Sequence, residues 1–122
     1  MRTEHDWAYI LHRRPFKESS VVIECFCRQN GWVSLVARGA KRSRSRFDAV
    51  LQPFMQLQVE WGGKGELKTL YKAESSMFHP LLKQEKLIVG MYINELMIRL
   101  LQRLDPHPSL YDFYHLTLAS LI

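Results

Sequence analysis

The chain has 122 residues, 47% of them apolar, which is enough to build one compact domain and excludes a disordered chain. Its 17 Lys and Arg residues outnumber its 12 Asp and Glu residues and give a formal charge of +5. This excess favours a polyanionic partner, nucleic acid ahead of anionic lipid, because Lys and Arg release the counterions that condense on phosphates.

The cysteines and the N-terminus are typical of a cytoplasmic protein. Cys25 and Cys27 lie two residues apart in a strand-like run, so their side chains share one face and are poorly placed to bond to each other. Structural zinc needs two further ligands, and no second Cys pair or suitably spaced His pair follows in the sequence. The first residues lack the apolar stretch of a signal peptide, and an amide and two charged side chains interrupt the apolar residues 87–101. We therefore expect no metal, no other cofactor and no membrane anchor.

The first part of the chain has the periodicity of β-strands. Residues 7–12 alternate between two faces, and every second residue of 21–27 is apolar and lies on one face of a second strand. Asn30-Gly31 follows, the dipeptide that best tolerates positive φ at both centres of a tight hairpin turn. A third strand over residues 32–36 is therefore predicted to pair antiparallel with the second.

Two more strands are predicted after a break. Residues 55–61 alternate between apolar and polar side chains, and a Gly-rich turn follows at residues 62–65. The fifth strand carries on one face Leu67, Thr69, Tyr71 and Ala73. Five short strands in a chain of this size hide their edges most simply by closing into a small barrel. An OB-type barrel is the leading prediction, and an SH3-like barrel is the alternative.

In the last third of the chain the apolar residues recur at helical spacing. A long helix packed on the barrel is predicted from Leu87, Ile88, Met91, Tyr92, Leu96, Leu100 and Leu104. Residues 105–108 break it, Ser109 can cap the next helix, and residues 110–121 carry a second apolar pattern. The chain stops without a capping signal, which indicates a fragment, with a natural end as the alternative. We predict a mainly β domain over residues 1–78 and the start of an incomplete helical domain over residues 79–122.

The most informative segment lies between the third and fourth predicted strands. It carries five cations in nine residues, with no acid among them: Arg38, Lys41, Arg42, Arg44 and Arg46. Its Ser and Gly content argues against a helix or a strand, so we predict a loop whose guanidinium and hydroxyl groups meet successive phosphate oxygens. A solvated loop that only keeps the protein soluble is the alternative, but the density of unpaired cations favours nucleic acid.

A second basic cluster follows the first strand. Pro15 is expected to hold a stiff turn there, with Arg14 and Lys17 as further phosphate contacts. Phe16 in this cluster, together with Trp32, offers a flat surface on which unpaired bases can stack without sequence being read. Packing of both rings in the core is the alternative interpretation.

Catalysis is not indicated by the sequence. Lys64 lies in the Gly-rich turn, but Gly65 follows it where a P-loop needs Ser or Thr, so we predict one phosphate contact and no nucleotide site. The five His residues lie near no recognisable catalytic arrangement, and Asp48 and Glu66 have no acidic neighbour with which to bind a metal ion. We expect a protein that is not an enzyme.

Five segments of the chain resemble the RecO family, in the family's order. They are LHRRPFKESS (11–20), VARGAK (36–41), LQPF (51–54), GGKGELKTL (62–70) and YINEL (92–96). The resemblance implies an OB-fold followed by a helical domain, with no nucleotide hydrolysis. It also implies binding of single- and double-stranded DNA, annealing of complementary strands, and loading of the RecA recombinase, together with RecR, onto DNA coated by single-stranded-DNA-binding protein. The family's basic loop falls on residues 38–46 and its Arg-Pro turn on Arg14-Pro15.

The resemblance further implies a longer protein. Family members carry a C-terminal helical domain that binds a partner's acidic tail, and some keep a Cys zinc site there, to which Cys25 and Cys27 do not correspond. Our leading hypothesis is a non-catalytic, nucleoid-associated module that binds and anneals DNA by neutralising phosphates, without reading base sequence. The alternative is a protein-interaction module whose basic loop docks an acidic peptide and whose apolar helices form the contact.

Overall fold

In a computed structural model of the chain, which describes residues 3–42, 45–47 and 49–122, five strands close into a barrel and two helices follow. The elements are β1 (Thr3–Phe16), β2 (Ser20–Cys27), β3 (Gly31–Ala37), β4 (Leu57–Gly62), β5 (Leu67–Ser75), α1 (Gln84–Leu100) and α2 (Pro108–Ser120). The strands are neighbours in the order β1-β2-β3-β5-β4, and only the pairing of β3 with β5 is parallel. The predicted five-stranded OB-type barrel with C-terminal helices is confirmed.

The hairpin between β2 and β3 turns at residues 28–30, and Gly31 is the first residue of β3. Of the predicted dipeptide only Gly31 has a positive φ, so the predicted positive φ at Asn30 is wrong. Cys27 pairs with Gly31, and Gly31 has a φ of 73°, which a residue without Cβ adopts at no steric cost. The carboxylate of Asp6 stabilises the turn, because its Oδ2 accepts the backbone N–H groups of Gln29 and Asn30 at 2.9 and 3.0 Å. The predicted antiparallel pairing of the second and third strands is therefore confirmed.

The described residues form two hydrophobic clusters. The first fills the barrel, with fully buried side chains such as Ile23, Leu35 and Leu57. Cys25 and Cys27 share this interior as free thiols on the predicted common face, and burial raises the pKa of both.

The second cluster joins the outside of the barrel to the helices. The barrel contributes Tyr9, Leu11 and Phe26, which pack against side chains that include Tyr111 and Leu118 of α2. Consecutive residues of β1 are therefore buried on both of its faces, which a simple alternation over residues 7–12 does not predict. The strand lies between the barrel interior and the helices.

The residues predicted to share one face of the fifth strand do not share it, because Ala73 packs against the barrel core whereas Leu67 and Tyr71 do not. Leu67 and Tyr71 are exposed, whereas Leu70 is fully buried inside the barrel. The register shifts here, because Trp61 of β4 pairs with Leu70 while the preceding Glu60 pairs with Lys72. This bulge inserts one extra residue into β5, so that Leu70 before it and Ala73 after it both face the barrel interior.

The helices also differ from their prediction. The apolar stripe expected to pack on the barrel is exposed, with Ile88 at 67% and Leu100 at 77% of their full accessibility, and Leu104 lies beyond α1. The buried face of α1 carries Gly90, Asn94 and Met97 instead. Gly90 is required there, since a Cβ would lie 2.7 Å from Leu82 and 2.9 Å from Phe54.

The start of the second helix is corrected as well. Pro108 occupies the first turn of α2 and His107 precedes it as the N-cap, so Ser109 is not the cap. Neither helix in the described part of the chain has the length and apolar character needed to cross a bilayer.

Candidate nucleic-acid interface

A groove with a volume of about 560 Å³ lies on the outside of the barrel beside the β1–β2 turn. We call it the basic groove, and it is lined by Phe16, Lys17, Ser19, Ser20, Val36, Arg38, Gly39, Arg42, Leu67 and Thr69. Four of these residues, Phe16, Lys17, Arg38 and Arg42, are among the nucleic-acid contacts that the sequence predicts. None of the described residues that line it is acidic, so the groove suits an anionic ligand.

Two loops build the cationic part of this groove. Lys17 begins the β1–β2 turn with a φ of 55°, and its Nζ lies 5.3 Å from the centre of the Phe16 ring. After β3 the chain turns through Gly39, whose φ is 73°, and the backbone N–H of Arg42 donates to the Gly39 carbonyl at 3.1 Å. The N–H of Lys41 then donates to the Ser19 carbonyl at 3.0 Å, which holds the two loops together.

The other predicted phosphate contacts lie outside the lining of the groove. Lys41 is exposed next to it, and Lys64 is exposed in the β4–β5 turn. Arg46 is exposed as well, with its guanidinium 4.7 Å from the centre of the Phe47 ring. Arg44 falls outside the described residues.

Arg14 lies in a strand and forms an ion pair. It pairs with Val22 and Pro15 pairs with Val21 in the β1–β2 ladder, so the predicted stiff turn at these residues is wrong. The strand continues to Phe16, and the chain reverses only at residues 17–19. Arg14 Nη1 donates to Glu24 Oε2 at 2.5 Å, which holds the guanidinium against the outer face of the barrel.

Glu24 is a buried carboxylate on that outer face, with 3% of its surface exposed. Besides Arg14, its oxygens accept the indole N–H of Trp32 at 2.8 Å and the hydroxyl of Ser34. Burial alone would raise the pKa of Glu24, but the hydrogen bonds from Ser34, Arg14 and Trp32 outweigh it and hold the pKa below its ordinary value. Glu24 therefore carries its charge at neutral pH and organises this part of the surface.

Trp32 is covered by a residue that the sequence analysis did not single out. The Arg103 guanidinium lies 4.2 Å from the centre of the Trp32 ring, and Trp32 also packs against the cluster between barrel and helices. Arg103 Nη1 lies 2.7 Å from Glu66 Oε1, and Arg103 Nη2 donates to Ser34 Oγ at 3.1 Å. Arg103 and Ser34 are 69 residues apart, so periodicity and local charge carry no signal for this contact.

A second cavity, of about 420 Å³, has mixed charge. His5, Asp6, Glu60, Lys72 and Glu74 supply its ionisable side chains. Its acids outnumber its cations, which makes it a poorer site for phosphates than the basic groove. Among the described residues no group of His, Cys, Asp or Glu is arranged to hold a metal ion.

Comparison with known proteins adds evidence that is independent of this geometry. The family model described as the N-terminal part of recombination protein O matches residues 1–78. The chain is 46% identical over 114 residues to the DNA repair protein RecO of a Polaromonas species, an alignment that covers 93% of this chain and 46% of that protein. It is 45% identical over 122 residues to the DNA repair protein RecO of Nitrosococcus oceani, an alignment that covers 100% of this chain and 50% of that protein. The chain thus spans about half the length of the curated relatives it matches.

Proposed function

Because the chain belongs to the RecO family, we propose that it is the non-catalytic DNA-binding part of a recombinational DNA repair protein. The observation that carries this proposal is the convergence of Lys17, Arg38 and Arg42 on one groove whose described lining has no acid. Such a surface binds phosphates of any sequence, because neutralising them releases condensed counterions.

The position of the groove supports the same proposal. OB-folds bind oligonucleotides on the face of strands 2 and 3 and through the loops that join strands 1 to 2 and 4 to 5. In this chain Ser20 of β2 and Val36 of β3 line the groove, and Lys17 comes from the first of those loops. Lys64 is exposed in the second loop, where we propose that it makes one further phosphate contact. Lys41 and Arg46 are exposed on the loop after β3 and are proposed to extend the cationic surface. Arg44, outside the described residues, is proposed as a further phosphate contact.

Both single- and double-stranded DNA are proposed ligands, because the cations contact phosphates, which both forms present. Strand annealing follows if neutralising the phosphates allows two complementary strands to approach each other. Phe16 is the aromatic ring of the groove, half-buried, and it is the groove residue we propose for base stacking.

Partner binding is proposed to involve the helical part. We propose that residues 79–122 begin a helical domain after an OB-fold domain over residues 1–78, and that the exposed apolar stripe of α1 packs against the rest of that domain in longer family members. Loading of a recombinase such as RecA, with RecR, onto strands coated by single-stranded-DNA-binding protein is then a function of the longer protein. The basic groove supplies its DNA contact.

A protein-interaction module is the second candidate, and the exposed stripe is the observation that favours it. Ile88, Met91, Tyr92 and Leu100 are each at least 59% exposed on α1, which is unusual for a face with no partner. In this alternative the basic loop docks an acidic peptide. Salt dependence separates the two candidates, because a short acidic tail offers fewer countercharges than a strand of DNA.

The test is fluorescence anisotropy of a labelled single-stranded oligonucleotide over a salt series. The variant Lys17→Ala/Arg38→Ala/Arg42→Ala removes the cations of the groove. The matched control Lys83→Ala/Lys86→Ala/Arg99→Ala removes three exposed cations at and within α1, with the same change in net charge. We expect the groove variant to lose about 2 from the slope of log affinity against log salt, at about 0.7 per lost contact, and the control to keep the wild-type slope. Failure of the folded wild type to bind at low salt, or equal losses in both variants, would overturn the proposal.

A further inference from the structure

Resting on the proposed DNA binding, we infer that Arg103 is a stacking platform for one unpaired nucleobase at the edge of the basic groove. The sequence suggests Trp32 for this role, but the ring is already covered by the Arg103 guanidinium, 4.2 Å from its centre. A planar guanidinium offers a base the same kind of flat surface as an aromatic ring, with a positive charge added. The base then stacks on Arg103, and Trp32 supports the guanidinium from below.

The guanidinium is held in a fixed plane. Its Nε and Nη2 atoms donate to Ser34 Oγ at 3.3 and 3.1 Å, and Nη1 lies 2.7 Å from Glu66 Oε1. Since guanidinium N–H groups lie in the plane of the group, these bonds fix its edges and occupy neither face. Trp32 takes one face, and 35% of the side chain remains exposed. We place the stacked base on the opposite face of the guanidinium.

The platform lies beside the groove on the same outer surface of the barrel. Ser34, which binds Arg103, pairs with Leu67, and Leu67 lines the groove. Val36, also in the lining, follows Ser34 by two residues of β3, a distance of about 7 Å at the rise of an extended strand. A single strand whose phosphates occupy the groove therefore passes close to Arg103.

The segment that carries Arg103 is docked on the barrel in the absence of DNA. The backbone N–H of Leu104 donates to the Trp32 carbonyl at 3.0 Å, and residues 32 and 103 form a parallel bridge. Asp105 passes so close to Gly31 that a Cβ there would meet the Asp105 carbonyl oxygen at 2.5 Å. A platform fixed before binding loses little conformational entropy when a base stacks on it.

This arrangement distinguishes single strands from duplexes. In a duplex the bases are already stacked and paired, so only phosphates are available to the groove. An unpaired base gains the Arg103 contact in addition. Arg103 is therefore expected to add affinity for single strands and to add little for duplexes or for a backbone without bases.

The test compares Arg103→Lys with wild type on three labelled probes of equal length: a thymidine oligonucleotide, an abasic oligonucleotide and a duplex. The substitution keeps the charge and removes the planar group. We expect it to weaken binding of the thymidine oligonucleotide by about 5-fold to 150-fold, as for the loss of one stacked base, and to change the other two by less than about 2-fold. Arg99→Lys, on an exposed arginine of α1, is the control and should change none of the three.

Each other outcome has a definite meaning. Equal losses on the thymidine and abasic probes, or no loss on either, would overturn the platform while leaving the proposed DNA binding in place. If wild type binds none of the probes, the proposed function fails and this inference fails with it. Should Arg103→Lys not fold, Phe16→Leu decides, because it removes the other proposed stacking ring and must still bind the thymidine probe at least about 5-fold more tightly than the abasic one.

Discussion

Arg14 Nη1 and Glu24 Oε2 lie 2.5 Å apart, in an ion pair whose carboxylate is 4% exposed and whose guanidinium is 49% exposed. The half-exposed Arg14 is the nearer of two cations beside this buried carboxylate, since Arg103 Nη2 lies 3.9 Å from Glu24 Oε1. Loss of a partner from a buried carboxylate costs far more than a surface pair gains. The main role of Arg14 is therefore structural, and a phosphate that contacts its guanidinium must compete with the Glu24 carboxylate. Lys17, Arg38 and Arg42 have no such competitor in the lining of the groove.

The ionisation of Glu24 is expected to make the free energy of unfolding depend on pH. Its pKa in the folded protein lies below the ordinary value of 4.5, since hydrogen bonds from Ser34, Arg14 and Trp32 outweigh the effect of burial. The ionised carboxylate thus contributes stability that is fully present above pH 4.5 and is lost as the pH falls through the lower folded-state pKa. Urea unfolding of wild type and Glu24→Gln between pH 7 and pH 3 measures this. The free energy of unfolding should fall more steeply with acid in wild type, and parallel curves would contradict the prediction.

A substitution at Gly31 tests whether the α1–α2 connection is docked on the barrel, through its effect on the free energy of unfolding. Gly31→Ala and Gly65→Ala both place a Cβ at positive φ, 73° and 82°, which costs about 1–2 kcal/mol each. At Gly65 the new Cβ has nothing within 4 Å, whereas at Gly31 it meets the Asp105 carbonyl oxygen at 2.5 Å. We expect Gly31→Ala to lower the free energy of unfolding by about 1–3 kcal/mol more than Gly65→Ala, as overpacking does. Equal losses in urea unfolding would show that the connection is not docked at Gly31.

Asn94 of α1 and Tyr114 of α2 form a buried hydrogen bond, so we expect substitutions at the two positions to have coupled effects on the free energy of unfolding. The Tyr114 hydroxyl donates to Asn94 Oδ1 at 2.5 Å, and both side chains are buried. Asn94→Ala leaves the hydroxyl without this acceptor and should cost about 1–3 kcal/mol, whereas Asn94→Ala/Tyr114→Phe should cost less than the sum of its single variants. A double-mutant cycle of unfolding free energies measures the coupling. Strictly additive effects would mean that the hydrogen bond contributes nothing.

The sequence predicts the barrel well because each signal that specifies it is local. Gly31 supplies the positive φ with which β3 leaves the β2–β3 turn, and the alternation over residues 21–27 places Cys25 and Cys27 inside. The reversed faces of β5 depend on the register between Trp61 and Leu70, which is a property of two strands together. No single-strand pattern contains it.

Some residues of the candidate site are likewise predictable from local sequence, and others depend on contacts between distant parts of the chain. Density of charge along the chain is sufficient to predict Lys17, Arg38 and Arg42, since all three lie in turns that bring them to the groove. Arg103 depends on a contact across 69 residues of sequence, and the pairing of Arg14 with Glu24 depends on the register of β1 against β2. These contacts exist only once the barrel has closed and the helices have docked.

The same substitution on the two faces of α1 is expected to lower the free energy of unfolding by very different amounts. Met91 is 59% exposed on the apolar stripe, and Met97 is 9% exposed against the barrel. Met97→Ala should cost about 2–5 kcal/mol by leaving a cavity, while Met91→Ala should stay within about 0.5 kcal/mol. Urea unfolding at a fixed protein concentration compares them, with the residue type held constant. If Met91→Ala lowers the free energy of unfolding as much as Met97→Ala, the apolar stripe is covered in solution. Repeating the unfolding at tenfold lower protein concentration then shows whether a second copy of the chain covers it, because only in that case does the unfolding midpoint fall with concentration.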